Sequence, residues 1–119
     1  MSDKHRDSLS GIEFQALLAL AAGPSYGYAI MKTVEQQSGG RMRPEIGSLY
    51  RLLSRLTARG LVEEQPAPAD SPTNHRGHPR RYYGLTPAGS EIAQEEATHL
   101  AGLVATARNR DLLPNGQGP

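Results

Sequence analysis

Residues 45–59 read EIGSLYRLLSRLTAR, and this stretch decides the fold. Its apolar side chains recur at spacings of three, four and three residues, which predicts a helix with one buried stripe. The stripe consists of Ile46, Leu49, Leu53 and Leu56, with Leu52 alongside. The opposite side carries a second row at steps of three and four residues: Ser48, Arg51, Arg55 and Arg59. We therefore expect a helix that buries leucines and exposes a serine and arginines.

Two further helices are predicted before this stretch. Apolar residues repeat at helical spacing within residues 8–22, and Gly23-Pro24 ends the repeat because proline cannot continue a helix. Ser25 is the predicted N-cap of a second helix, which runs from Tyr26 to about Gln37.

Strands and a last helix are predicted around and after the central helix. The strands are short and are expected at residues 41–43, 61–65 and 80–85. Residues 66–79 contain four prolines and form a loop, so the last two strands make a hairpin. Thr86-Pro87 is a strong helix start, and the last helix is expected to reach about Asn109.

Three helices followed by a hairpin are the winged helix-turn-helix arrangement. The predicted fold is mainly α with a small β-hairpin, and the hairpin is the wing. The predicted division of the chain is a flexible amino terminus (1–8), a winged helix-turn-helix domain (9–86), a C-terminal helix (87–110) and a disordered tail (111–119).

Charge is unevenly distributed along the 119 residues. The net charge is only +1, but residues 41–81 hold eight arginines and four acids, so this segment is +4 and the remainder is −3. A basic face of this kind attracts a polyanion despite a near-neutral total. Cysteine is absent, which excludes disulfides and thiolate chemistry.

Three linked motifs resemble the PadR family of transcriptional regulators. They are GPSYGYAI at 23–30, GSLYRLLSRL at 47–56 followed by Gly60-Leu61-Val62, and RYYGLTPAG at 81–89. The resemblance covers roughly residues 9–90. It implies a winged helix that binds double-stranded DNA, more often as a repressor than as an activator.

The candidate DNA contacts lie mainly on the central helix, residues 45–59, hereafter the recognition helix. Ser48 and Arg51 are placed to reach base edges, and Arg55 and Arg59 to reach phosphates. Gly47 permits close approach of the helix amino terminus to a phosphate. The resemblance adds the hydroxyls of Tyr50 and Tyr28 near the backbone, although Tyr50 is equally well explained as a packing residue.

The wing adds Arg76 and Arg80 as candidates, because a basic hairpin lays arginine into the negative potential of a minor groove. The alternative is a flexible, solubilising loop. His75 and His78 lack the neighbouring ligands of a zinc site, so no metal and no cofactor are expected.

The last helix is predicted to join two copies of the chain. Its apolar residues at 93, 97, 100, 104 and 107 follow the four-three spacing of a coiled-coil seam. The predicted dimer residues are Ala93, Ala97, Leu100, Leu103, Val104 and Ala107. A homodimer would present two recognition helices to a palindromic operator.

The sequence also bears on other classes of function. An adaptor with a winged helix that contacts proteins, without DNA affinity, is the main alternative. No phosphate loop, nucleophile motif or paired catalytic carboxylates point to an enzyme. The chain has no apolar run long enough for a bilayer and no signal peptide, so a cytoplasmic location without membrane contact is expected. A small-molecule effector fits the family, but the sequence identifies none.

Overall fold

The computed structural model of the chain describes residues 8–71, 73, 77 and 80–114. The fold consists of helices and short strands. Over these residues the elements are α1 (Gly11–Leu20), β1 (Ser25–Tyr26), α2 (Gly27–Gln37), α3 (Ile46–Ala58), β2 (Val62–Gln65), β3 (Tyr82–Leu85) and α4 (Pro87–Asn109). The recognition helix is α3, and the predicted extents of α3 and α4 are confirmed to within one residue at each end.

The sheet has three antiparallel strands in the order β1-β3-β2. The predicted hairpin is confirmed, with Val62 opposite Leu85 and Gln65 opposite Tyr82, although β3 begins at Tyr82 and not at Arg80. The third strand is β1, which pairs Tyr26 with Tyr82 along the other side of β3.

The prediction of a strand at residues 41–43 was therefore wrong. The Met42 N–H donates to Ser38 Oγ at 2.8 Å, which closes a turn after α2 instead of a strand pairing. Ser25 does not cap α2 either, because its backbone belongs to β1 and Tyr26 occupies the N-cap position.

The core lies between α1, α2, α3 and the sheet. The leucines of α3 are buried in it, together with Leu17 of α1 and Ile30 of α2. Leu49, Leu53 and Leu56 are fully buried. Ile46 departs from the predicted stripe: it is the first residue of α3 and is 42% exposed, because the packed part of the helix begins further along.

The start of α4 is fixed to the corner between α3 and β2. The Thr86 hydroxyl donates to the Gly60 carbonyl at 2.6 Å and accepts from the Gly89 N–H at 3.0 Å. Gly89 lies so close to the Leu61 carbonyl that an added Cβ would collide with it. In the part of the chain that the structure describes, no helix is long and apolar enough to span a membrane.

We predict that Thr86→Ala destabilises the protein by about 1–2 kcal/mol, because one hydroxyl supplies both the helix cap and the contact with Gly60. Thr86→Ser keeps the hydroxyl and is expected to retain most of that stability. Urea denaturation of the three proteins measures the difference in the free energy of unfolding. Equal midpoints for wild type and Thr86→Ala would contradict the prediction.

Candidate nucleic-acid interface

The face of α3 opposite the buried leucines carries the predicted polar row. Arg51 and Arg55 are exposed and Ser48 is half-buried. The Arg51 Nη2 donates to Ser48 Oγ at 3.0 Å, so the two side chains meet one turn apart. This arrangement places a hydroxyl and two guanidinium groups on one solvent-facing side of a rigid helix.

Gly47 is exposed at the start of the same helix. A Cβ added there would meet only Arg51 Nη1, at an ordinary 3.8 Å. The fold itself therefore does not require glycine at this position, and a role in close approach to a ligand stays a prediction.

Tyr50 combines packing with exposure. A Cβ on Gly27 would lie 2.6 Å from the Tyr50 Oη, so the ring rests against the first residue of α2, and a side chain there would displace the ring. The Tyr50 side chain is nevertheless partly exposed, and Tyr28 in the first turn of α2 is 54% exposed. The two tyrosines thus flank the start of α2 on the protein surface.

Arg59 does not continue the exposed row. Its Nη1 lies 3.6 Å from the Glu13 Oε1, and the Arg59 side chain is only 27% exposed. Its Nη2 also donates to the Ser8 carbonyl, at 3.5 Å. The expectation that Arg59 faces the solvent is therefore wrong, because the end of α3 lies beside the start of α1.

Arg80 lies against an aromatic pair at the base of the wing. Its Cζ is 4.4 Å from the centroid of the Tyr26 ring. That ring is 5.5 Å from the ring of Tyr82, its partner across the β1–β3 ladder. This geometry is a cation–π contact, which holds the guanidinium near the sheet. The candidate Arg76, and with it His75 and His78, lies outside the described residues.

Arg81 belongs to the basic cluster that the sequence predicts at the wing, but it was not among the selected DNA contacts. Its Nε lies 3.6 Å from the Glu64 Oε2, and both side chains are mostly exposed. The Tyr83 hydroxyl and the Glu64 carboxylate raise the pKa of Arg81, which stays charged in any case. Neighbouring residues of a strand face opposite sides, so the strand predicted at residues 80–85 separates Arg80 from Arg81. This alternation is the sequence signal that could have identified Arg81 as a separate candidate.

The outer part of α4 presents the predicted apolar stripe to solvent. Ala93 is half-buried and packs against the core of its own chain. Beyond it, Ala97, Leu100, Leu103 and Val104 are exposed and Ala107 is half-buried. Leu18 on the neighbouring α1 is also exposed. The stripe thus changes from core packing to solvent exposure as α4 leaves the domain.

The sequence is similar to that of a known protein. The chain is 45% identical over 87 residues to an uncharacterized 37.1 kDa protein in transposon TN4556 of Streptomyces fradiae. The match covers 73% of this chain and 22% of that protein, so the chain spans about a fifth of the relative's length.

Solved structures resemble it as well. A PadR-like transcriptional regulator from Bacillus cereus has a TM-score of 0.61 at 27% identity, covering 91% of this chain and 93% of that one. PadR of Bacillus subtilis in complex with operator DNA has a TM-score of 0.60 at 18% identity, covering 74% and 47%. The latter likeness concerns the fold.

The model of one family, the transcriptional regulator PadR-like family, matches residues 16–95. The matched range runs from α1 through the recognition helix and the hairpin into α4. The chain belongs to the PadR-like family of transcriptional regulators.

Proposed function

We propose that this protein binds double-stranded DNA sequence-specifically as a homodimer and represses transcription from a palindromic operator in the cytoplasm. The observation that carries the proposal is the two-sided α3, with buried leucines on one side and Arg51, Arg55 and Ser48 on the other. A helix of this width fits the major groove of B-DNA.

The roles within α3 follow from side-chain chemistry. The Arg51 guanidinium has the fork geometry that binds the two acceptors on the edge of guanine, and Ser48 holds it in place before binding. Arg55 lies one turn further from the start of α3 and is assigned to a phosphate. Gly47 and Tyr50 complete the approach of the helix to the backbone.

Residues outside α3 would extend the contact. The exposed Tyr28 is assigned to a phosphate near the start of α2. Arg80 is assigned to the DNA strand nearest the wing base, where its contact with Tyr26 limits its reach. Arg76 is proposed for the minor groove from its place in the sequence alone. PadR of Bacillus subtilis, which has a similar fold, is in complex with operator DNA, and this supports DNA as the partner.

The exposed stripe on α4 supports the homodimer. Leu100, Leu103 and Val104 expose apolar surface that a second copy of the chain would remove from water. The predicted seam also includes Ala97 and Ala107, with Ala93 at its inner end. A two-fold dimer presents two α3 helices about one turn of DNA apart, roughly 34 Å, which matches a palindrome. An effector that changes the crossing of the two α4 helices would change this spacing.

We predict that Arg51→Ala weakens binding to a selected operator by about tenfold or more, because about 1–3 kcal/mol of base discrimination is lost. The operator is obtained by in vitro selection of bound duplexes, and affinity is measured by fluorescence anisotropy. Arg110→Ala removes the same charge from the end of α4 and serves as the control, with little change expected. Selection that enriches no palindrome with the wild-type protein would overturn the proposal.

The protein-contact alternative makes the opposite prediction about salt. Binding of DNA through phosphates weakens steeply as salt rises, because counterions are released. An adaptor without DNA affinity would show no salt-dependent binding of DNA, and Ser48→Ala, Arg51→Ala and Arg55→Ala would cause no loss of DNA binding.

We predict that Leu103→Glu converts the dimer to monomers at micromolar concentration, because the seam would bury two carboxylates. Leu103 is 53% exposed within one chain, so the folded domain is expected to tolerate the change. Ala105→Glu is the matched control, since Ala105 is exposed on the side of α4 away from the stripe. Light scattering after size-exclusion chromatography gives the mass, and an unchanged dimer for Leu103→Glu would refute the assigned seam.

A further inference from the structure

The two consecutive arginines at the base of the wing lie on opposite faces of the sheet. Arg80 shares its face with Tyr82 and Tyr26, and it contacts the Tyr26 ring. Arg81, just before β3, lies on the other face, where its side chain contacts the Tyr83 hydroxyl and the Glu64 carboxylate. Tyr83 belongs to the buried core cluster that contains the α3 leucines. Arg81 therefore emerges on the side of the sheet that α3 covers.

The register places Arg81 next to the recognition helix. In the β1–β3 pairing, Ser25 lies opposite Tyr83 and Tyr26 opposite Tyr82. The ladder ends with that second pair, and Gly27 and Arg81 are the next residues of the two segments beyond it. The Tyr50 ring rests on Gly27. Tyr50 is also close enough to contribute to the raised pKa of Arg81, after the larger contributions of Tyr83 and Glu64.

A carboxylate forms an ion pair with this arginine. Glu64 lies opposite Tyr83 in the β2–β3 ladder, which makes it a diagonal neighbour of Arg81. The Arg81 Nε and Glu64 Oε2 are 3.6 Å apart, with 69% of the arginine and 56% of the glutamate side chain exposed. Glu63, one residue earlier, faces the other side of the sheet, where its Oε2 accepts a long hydrogen bond from Gln65 Nε2.

We propose that Arg81 binds a DNA phosphate between the recognition helix and the wing, and that Glu64, paired with it in the free protein, lowers the affinity for DNA. This inference rests on the proposed DNA binding. Arg81 would supply a positive charge between the Arg51–Arg55 row and Arg80. Glu64 would have a role as an acid in a surface that is otherwise basic.

The competition follows from charge and exposure. An exposed ion pair is worth little in water because both groups are well solvated. A phosphate that approaches Tyr50 therefore displaces Glu64 from the guanidinium at small cost. The remaining carboxylate stays beside the phosphate and repels it. Removing the Glu64 carboxylate frees Arg81 and ends the repulsion of the phosphate. When Arg81 is absent, removing Glu64 ends only the repulsion, because there is no Arg81 to free.

The test is the affinity of the full chain for a labelled 30-base-pair duplex of random sequence, measured by anisotropy at several salt concentrations. Arg81→Ala is expected to lower the affinity about three- to tenfold and to make the salt slope shallower by about 0.9, the loss of one phosphate contact. Arg81→Lys keeps the charge and is expected to retain most of the affinity. Glu64→Gln is expected to raise the affinity two- to fivefold.

Two further variants separate the pair from a general charge effect. Glu63→Gln removes the same charge one residue away on the other face, and it is expected to change the affinity less than Glu64→Gln. In the Arg81→Ala background, Glu64→Gln is expected to give a smaller gain than in wild type. Equal gains from the two glutamine variants, or an unchanged slope for Arg81→Ala while wild type binds DNA, would overturn this inference alone. Absence of salt-dependent binding by wild type would overturn the proposed function with it.

Discussion

The burial of one side of α3 is the constraint on which the other features depend. Leu49, Leu53 and Leu56 are fully removed from water, and each such side chain contributes about 1.5–3 kcal/mol. A rotation of the helix by a single residue, about 100°, would expose leucines and bury Arg51 or Arg55 without partners. The core therefore determines which side chains point outward. The surface of α3 that we assign to DNA is a consequence of its hydrophobic packing.

A second constraint joins this surface to the outer helix. Thr86 contacts Gly60 directly after α3, and Gly89 packs on Leu61 without room for a side chain. The first turn of α4 thus has a fixed position relative to the end of α3. In a dimer built on α4, the orientation of one long helix would be transmitted to the recognition helix through this corner, because Thr86 and Gly89 contact the two residues Gly60 and Leu61 just after α3.

Periodicity explains what the sequence predicted well. The leucine spacing in α3, the Thr86-Pro87 start and the long repeat of α4 are local signals, and these elements were found at the expected residues. The strand β1 has only two residues, too few for any period, and it exists because β3 offers it a free edge. The positions of the Arg59 and Arg80 side chains depend on contacts with Glu13 and Tyr26, respectively, which lie some 50 residues away in the chain. Spacing along one helix or strand carries no information about such partners.

The hairpin register has a consequence for how the family diversifies. The β2–β3 ladder ends at the pair Gln65–Tyr82, and among the described residues the core cluster includes none from the wing loop between them. Closing a loop twice as long costs only about 0.6 kcal/mol. Insertions, deletions and changes of composition between these two residues are therefore nearly neutral for folding. The length and sequence of the wing can therefore change between related proteins while the arrangement of the helices stays the same.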